Sequence, residues 1–192
     1  MAKLIYTAIC SVDGYISDAD GGFDWAAPDE QVHAWVNDLE RPIGTYLYGR
    51  RLYETMRVWQ ELGDHDEPVV RDYAHLWQAA RKVVYSASLD EGATPLTPRT
   101  TLERTFDAAA VRAVKDAAET DLSIGGATLA GVAMAAGLID EVRLFLSPAI
   151  VGGGTRALPD NVRLDLSLEE HHTFDSGVVY LRYAVRNPAS AA

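Results

Sequence analysis

Tyr48-Gly49-Arg50-Arg51-Leu52-Tyr53-Glu54 and Ile124-Gly125-Gly126-Ala127-Thr128 are the stretches that decide the fold of this chain. In each, a short apolar stretch passes through glycine into a helical pattern. Thr45-Tyr46-Leu47-Tyr48 predicts a strand and Arg50 to about Trp59 a helix; Leu122-Ser123-Ile124 predicts another strand, followed by a small-residue helix, ATLAGVAMAAG, that Gly137 terminates. A strand that turns through glycine into a helix offers unpaired N–H groups and the positive end of the helix dipole to an anion. The first junction has the guanidiniums of Arg50 and Arg51 beside it, and at the second Gly125 and Gly126 let backbone approach a diphosphate without Cβ interference. A tight turn and a solvated helix start are the simpler readings of either junction alone. Two in one chain suit an extended dinucleotide with several phosphates. Neither G-x-G-x-x-G nor G-x-x-x-x-G-K-[ST] occurs, so a nucleotide is held by a different design.

The alternation extends outward from these junctions. Residues 3–10, KLIYTAIC, predict an early buried strand, and Asp13-Gly14 followed by Asp18, Asp20, Gly21 and Gly22 marks loops. From Pro28, placed in the first turn, a helix is expected to about Glu40, with Asp29 and Glu30 at its positive end and Val32, Trp35, Val36 and Leu39 on one face. A helix from about Val69 to Ala80 and a strand at 82–86 follow. Then come a strand near Leu102–Thr105, a helix capped by Asp107 through about Glu119, and an apolar strand from Glu141 to Ser147. HHTFD and VVYLRYAVR flank Ser176-Gly177 as a C-terminal β-hairpin. Strands followed by helices and closed by a hairpin imply an α/β fold with a mixed sheet flanked by helices. Ligands of such sheets bind outside the carboxyl ends of the strands.

The chain has 192 residues, 48% in the hydrophobic class and 23% charged, the composition of a soluble globular protein. A chain of that length buries roughly 70% of its unfolded surface, enough for a core without disulfides. No repeat, linker or low-complexity block appears, so one domain is expected over 1–187, with 188–192 a frayed tail. Seventeen Lys and Arg against 28 Asp and Glu give a net charge of −11, which disfavours nucleic acid and anionic lipid as partners. The single Cys10 excludes a disulfide framework and fits a reducing compartment. With no signal pattern and no apolar run near ~18 residues, the cytoplasm is the expected location and no membrane partner is expected.

Other chemistries find little support. The histidines at 33, 65, 75, 171 and 172 show no metal-ligand spacing, so no metal site is expected. Cys10, inside an apolar strand, reads as an inert buried thiol. Asp13 before Gly14 is a turn residue or a carboxylate at the mouth of a cleft, and Asp29 and Glu30 are helix-start charges or groups that orient or protonate a polar substrate. Among Trp25, Trp35, Trp59 and Trp77, Trp25 lies in a loop beside glycines and acids and is the least obviously buried. Gly152-Gly153-Gly154 is either a mobile loop or a place of close backbone approach.

Taken in order, Ser11-Val12-Asp13-Gly14-Tyr15-Ile16, Gly49-Arg50-Arg51-Leu52-Tyr53-Glu54, Lys82-Val83-Val84-Tyr85-Ser86, Ile124-Gly125-Gly126-Ala127-Thr128-Leu129, and Gly137-Leu138-Ile139-Asp140-Glu141 through Pro148 to Gly152-Gly153-Gly154 resemble the dihydrofolate reductase-like proteins. The closer resemblance is to the reductase domain of the bifunctional riboflavin-biosynthesis deaminase-reductase, and it spans nearly the whole chain. It implies an eight-stranded, mostly parallel sheet with helices on both faces, NADPH across the strand ends, and often a homodimer. By the same resemblance the backbone of Ala8 and Ile9 meets the nicotinamide and Ile16 covers the cofactor. Gly49, Arg50 and Arg51 hold phosphates, Ser86 lies near the adenosine 2′-phosphate, and Gly125, Gly126, Ala127 and Thr128 line the diphosphate. Asp29 or Glu30 falls near the acidic residue that contacts the pterin in dihydrofolate reductases, with Trp25 and Ser147 on the substrate side.

Two positions depart from the family pattern. Leu52 stands where a threonine is common, and Ala87 follows Ser86 where many relatives place arginine, so NADH stays beside NADPH as a candidate cofactor. The expected activity is hydride transfer to a small polar, pterin- or pyrimidine-like acceptor, with Asp29 or Glu30 relaying a proton and Asp13 as a further candidate. The alternative is a nucleotide-binding dimer of the same fold without turnover.

Overall fold

The computed structural model describes residues 1–186, so the expected frayed tail at 188–192 lies outside the described residues. Its elements, in order, are β1 (Leu4–Ser11), β2 (Tyr15–Ser17), α1 (Glu30–Glu40), β3 (Ile43–Gly49), α2 (Arg50–Met56), α3 (Pro68–Ala79), β4 (Arg81–Tyr85), β5 (Thr100–Glu103), α4 (Ala108–Ala117), β6 (Asp121–Gly125), α5 (Ala127–Ala135), β7 (Glu141–Ser147), β8 (Thr155–Arg156), β9 (Asp165–Thr173) and β10 (Val179–Arg186). Local chemistry sets most helix ends. The Asp29 carboxylate accepts the Val32 N–H and the Asp107 carboxylate accepts the Ala109 N–H, while Pro68 occupies the first turn of α3. Gly137, at φ +64, closes α5 with the Leu138 N–H donating to the Ala133 carbonyl.

Eight strands form one sheet in the order β5-β4-β3-β6-β1-β7-β10-β9. Every pairing from β5 to β7 is parallel, and β10 pairs antiparallel with both β7 and β9. Side chains alternate between the two faces, so each face of β1 builds a different core. Leu4, Tyr6, Ala8 and Cys10 pack with Val111 of α4 and Leu129, Ala130 and Ala133 of α5. On the other face Ile5 joins Tyr46, Tyr48, Tyr53, Tyr73 and the fully buried Trp77, while Ile9 and Trp35 pack on Val32, Phe145, Phe174 and Tyr180. Burial pushes the Cys10 thiol up to about 11, in keeping with an inert core cysteine.

The structure corrects three sequence-based boundaries. Pro28 precedes the cap of α1 and is not in its first turn, because the Asp29 carboxylate takes the capping position. The helix from Arg50 ends at Met56 and tightens into a 3-10 turn, Arg57–Gln60, and the one expected to reach Glu119 stops at Ala117.

At the N-terminal edge of the strands an ionic chain runs from exposed Lys3 to buried Glu141 and Arg143. Lys3 Nζ donates to Glu141 Oε2 at 2.9 Å, and Arg143 Nε donates to Glu141 Oε1 at 2.6 Å. Arg143 also donates to the Leu39 carbonyl at 3.2 Å. Glu40, the last residue of α1, is buried beside Arg143 and the Tyr46 hydroxyl, and its Oε2 has no hydrogen-bond partner. Loss of hydration pushes this carboxyl up to about 7, although Arg143 pulls it down. A pKa raised on folding favours the folded state below the ordinary carboxylate value, and that contribution is lost as pH rises through the folded value. Relative to Glu40→Gln, the wild-type chain should therefore lose stability between about pH 4.5 and 7, by on the order of 3–4 kcal/mol at about 1.4 kcal/mol per pKa unit. Urea unfolding of both proteins across that range measures it; parallel curves would contradict the assignment.

Candidate functional site

Because β3 and β6 are neighbours and parallel, with Tyr48 opposite Gly125, the two strand–glycine–helix junctions end side by side. A Cβ built on Gly126 would lie 3.7 Å from the Gly49 amide nitrogen. Gly49 caps α2 and Gly126, at φ +92, caps α5, and neither supplies a side chain to its helix N-terminus. Two sets of unpaired N–H groups thus converge at adjacent strand ends, the arrangement that favours a polyanion. Arg50 and Arg51 are both exposed at this point. Arg50 Nε donates to Glu54 at 2.8 Å, and Arg50 Nη1 lies 3.3 Å from Ser88 Oγ.

Leu52 is half-buried in the same junction, where it fills the space a side chain at Gly125 would need: a Cβ there would run into Leu52 Cδ2. The glycine and the leucine are therefore complementary. Ala127 and Thr128 form the first turn of α5. Ser86 follows β4 with its hydroxyl turned inward, accepting the Leu89 N–H at 2.9 Å and the Ser88 N–H at 3.3 Å. Ser88, which sequence reasoning did not single out, is the hydroxyl that reaches Arg50. Its only signal was the turn-forming Ser-Ala-Ser run after β4.

The other half of the strand-end edge is built around β1 and β7, paired in register from Ile5 to Ser11. Ala8 is buried and Ile9 half-buried, while Ile16 sits in β2 and packs on the core. Asp13 straps two loops together, accepting the Gly152 N–H at 2.8 Å and the Val151 N–H at 3.2 Å. Its pKa is lowered, first by the Ser11 hydroxyl and then by these amides. Gly154, at φ +126, sits so close to β2 that a Cβ would strike the backbone of Ser17 and Asp18, so this glycine run serves close approach. The β2–β8 pairing, with the Arg156 guanidinium 5.4 Å from the Tyr15 ring centre, completes the strap.

Asp29 is also committed to backbone: it accepts the Val32 N–H at 2.8 Å, which lowers its pKa first, with the Ser176 hydroxyl second. Gln31 Oε1 accepts the Asp175 N–H at 3.2 Å, so the start of α1 is clasped to the β9–β10 turn, a contact that no local pattern signals. Glu30 is exposed beside it, and Trp25 is half-buried with its Nε1 enclosed and without a hydrogen-bond partner. Ser147 is 3% exposed and directly opposite Ser11. The structure thus gathers the predicted residues along one edge in two groups, the glycine junctions with Arg50 and Arg51 at β3–β6 and the carboxylates near β1–β7. Among the described residues no cluster of His, Cys, Asp and Glu has metal-binding geometry, and no helix is long and apolar enough to cross a membrane.

The sheet order and the C-terminal hairpin define an α/β fold of the dihydrofolate reductase-like type. The chain belongs to the RibD C-terminal domain family, whose model matches residues 2–180. It is 27% identical over 188 residues, 94% of each chain, to the uncharacterized protein YyaP of Bacillus subtilis (strain 168). Its structure is similar to that of a candidate riboflavin biosynthesis protein from Shewanella sp. PV-4, with a TM-score of 0.76 at 18% identity, covering 96% of this chain and 99% of that one. Acinetobacter baumannii RibD matches with a TM-score of 0.70 at 16% identity over 97% of this chain and 59% of that one. The third, a deaminase/5-amino-6-(5-phosphoribosylamino)uracil reductase from Thermotoga maritima, has a TM-score of 0.64 at 16% identity over 96% of this chain and 57% of that one.

Three substitutions test the packing just described. Gly125→Ala should destabilise by about 1–3 kcal/mol through collision with Leu52, and Leu52→Ala in the same chain should recover part of that loss, a favourable coupling that a double-mutant cycle reads by chemical unfolding. Gly154→Ala should cost more than about 2 kcal/mol, because both its backbone conformation and its contact with β2 oppose a side chain.

Proposed function

We propose that the protein is an NADPH-dependent reductase of a small polar, pyrimidine-like heterocycle, with NADH as the weaker cofactor. The observation that carries this reading is the pair of adjacent helix N-termini capped by glycine alone, Gly49 and Gly126, with Arg50 and Arg51 beside them. A dinucleotide diphosphate fits that cradle because no capping side chain competes for the amides and no Cβ intrudes. Membership of the RibD C-terminal domain family supports the same activity.

In this reading Gly49, Gly125, Gly126, Ala127 and Thr128 hold the diphosphate, Arg50 and Arg51 add charge, and Ser86 with Ser88 border the adenosine 2′-phosphate. Leu52 contributes packing and no hydroxyl. The bound cofactor supplies a hydride, which with one proton saturates one C=N or C=O bond of the acceptor. Ala8 and Ile9 present backbone to the reacting ring, and the strap of Ile16, Asp13 and Gly154 excludes water. Asp29, held ionised by the Val32 amide, accepts an N–H from the acceptor, exposed Glu30 relays the proton, and Trp25 and Ser147 border the acceptor.

We further propose a homodimer. The sheet face formed by Leu144, Leu146, Leu181, Tyr183 and Val185 is half-exposed, and Leu166 and Leu168 beside it are exposed on edge strand β9. A second copy applied by a two-fold axis would bury this apolar band against itself.

A thermal-shift series tests the cofactor reading. NADPH at a hundred times its dissociation constant should stabilise the protein by about 2.7 kcal/mol, or roughly 5–10 °C for a chain of this size. Arg50→Ala should reduce the shift and Gly126→Val should abolish it. Undiminished NADPH binding by both variants would remove the physical basis of the proposal.

A further inference from the structure

We propose that Asn37 and Glu40 hold one buried proton between them, and that this proton latches α1 to α3 and to the sheet. The latch is independent of the reductase reading. It follows from the hydrogen-bond donors and acceptors at the C-terminal end of α1, where three polar atoms are enclosed without a partner: Asn37 Oδ1, Glu40 Oε2 and the Tyr46 hydroxyl. The three residues are only 1%, 5% and 2% exposed, so solvent does not satisfy these atoms. Asn37 and Glu40 stand one turn apart on the same face of the helix.

The orientation of the Asn37 amide is fixed. Its Nδ2 donates to the Val69 carbonyl at 2.9 Å and to Asp72 Oδ2 at 2.8 Å, so the amide cannot flip and Oδ1 is the atom left over. Neighbouring cations direct their donors elsewhere. Arg41 is bidentate on Asp72, and Arg143 gives Nε to Glu141 at 2.6 Å and Nη1 to the Leu39 carbonyl at 3.2 Å. Around the Glu40 carboxyl stand Tyr46 and Tyr48 of β3 and Tyr73 of α3, whose hydroxyls burial keeps protonated, together with the Arg143 guanidinium of β7. Beyond them lie Asp72, Glu141 and Lys3, each engaged in an ion pair.

An ionised Glu40 leaves this set one donor short. The Tyr46 hydroxyl can donate to the carboxylate, but Asn37 Oδ1 then meets a second acceptor with no proton between them. Protonation balances the set: the Glu40 O–H donates to Asn37 Oδ1 while the carboxyl accepts the Tyr46 O–H. The backbone favours the same form, because the last turn of a helix is the negative end of its dipole and opposes a carboxylate there. Loss of hydration acts in the same direction and pushes the carboxyl up to about 7, against the pull of Arg143. With the proton in place, a continuous series runs from Asp72 on α3 through Asn37 and Glu40 to Tyr46 on β3. Without it, two unpaired acceptors are set against each other out of solvent, and α1 loosens. A pKa raised on folding keeps the latch closed below the folded value and opens it as pH rises through that value.

Two measurements on the full chain test the latch. In the wild type isotope-labelled at glutamate carboxyl carbons, the Glu40 resonance should titrate well above the ordinary carboxylate range, and the Asn37 side-chain amide resonances should move with the same midpoint. In hydrogen exchange corrected for its intrinsic pH dependence, protection of the α1 amides should fall about tenfold from about pH 6 to about pH 8. Glu40→Gln puts a permanent N–H donor in place of the acid proton, so its α1 protection should stay level over that range. A Glu40 midpoint in the ordinary carboxylate range overturns the proposal and assigns the missing donor to a buried water. An Asn37 amide that ignores the Glu40 titration, or α1 protection that falls equally in Glu40→Gln, overturns it as well. The titration uses no variant, so it decides the matter even where Glu40→Gln fails to fold.

Discussion

The parallel, in-register pairing of β3, β6, β1 and β7 is the constraint on which the rest of the structure depends. Parallel strands deliver all their carboxyl ends to one edge, so segments distant in sequence, the loops after Ser11, Gly49, Gly125 and Ser147, become neighbours. The pairing is held by burial on both faces, which is why β1 reads as an almost unbroken apolar run. Were the register between β3 and β6 to slip by one residue, Gly49 and Gly126 would no longer face each other and the two helix starts would cease to act together.

The two edges of the sheet handle charge in different ways. At the N-terminal edge buried Glu141 is neutralised by buried Arg143 and by Lys3, whose side chain reaches in from solvent, and Glu40 is left with an unpartnered oxygen whose ionisation burial opposes. At the C-terminal edge charge stays exposed and segregated, with guanidiniums at β3 and carboxylates around β1.

Pre-organisation at this edge comes from small contacts in series. Asp13 binds the amides of Val151 and Gly152, Gly154 admits the backbone of β2, and Tyr6 donates to the Ala157 carbonyl at 2.6 Å. Each is a modest interaction, but together they hold the loop after β1 against the loop after β7. The Asp29 and Gln31 contacts do the same for α1 and the β9–β10 turn. Two of the three candidate acids, Asp13 and Asp29, accept hydrogen bonds from serine hydroxyls and backbone N–H groups, which lowers their pKa and fixes them in place.

The amino-acid sequence by itself determined the elements and their order. Period-two and period-3.6 apolar patterns are local properties, and caps such as Asp29, Asp107 and Gly137 act within a few residues. The two glycine junctions were legible for the same reason, as was Cys10 as a core thiol. Tertiary structure alone decided that Gly49 and Gly126 face each other, that Leu52 occupies the space beside Gly125, and that Ser86 turns its hydroxyl into its own loop while Ser88 reaches Arg50. It also decided that Gly154 serves close approach and that Asp175 and Ser176 reach the start of α1. These facts depend on strand order and register, which arise from contacts between residues tens of positions apart, and no local periodicity carries that information.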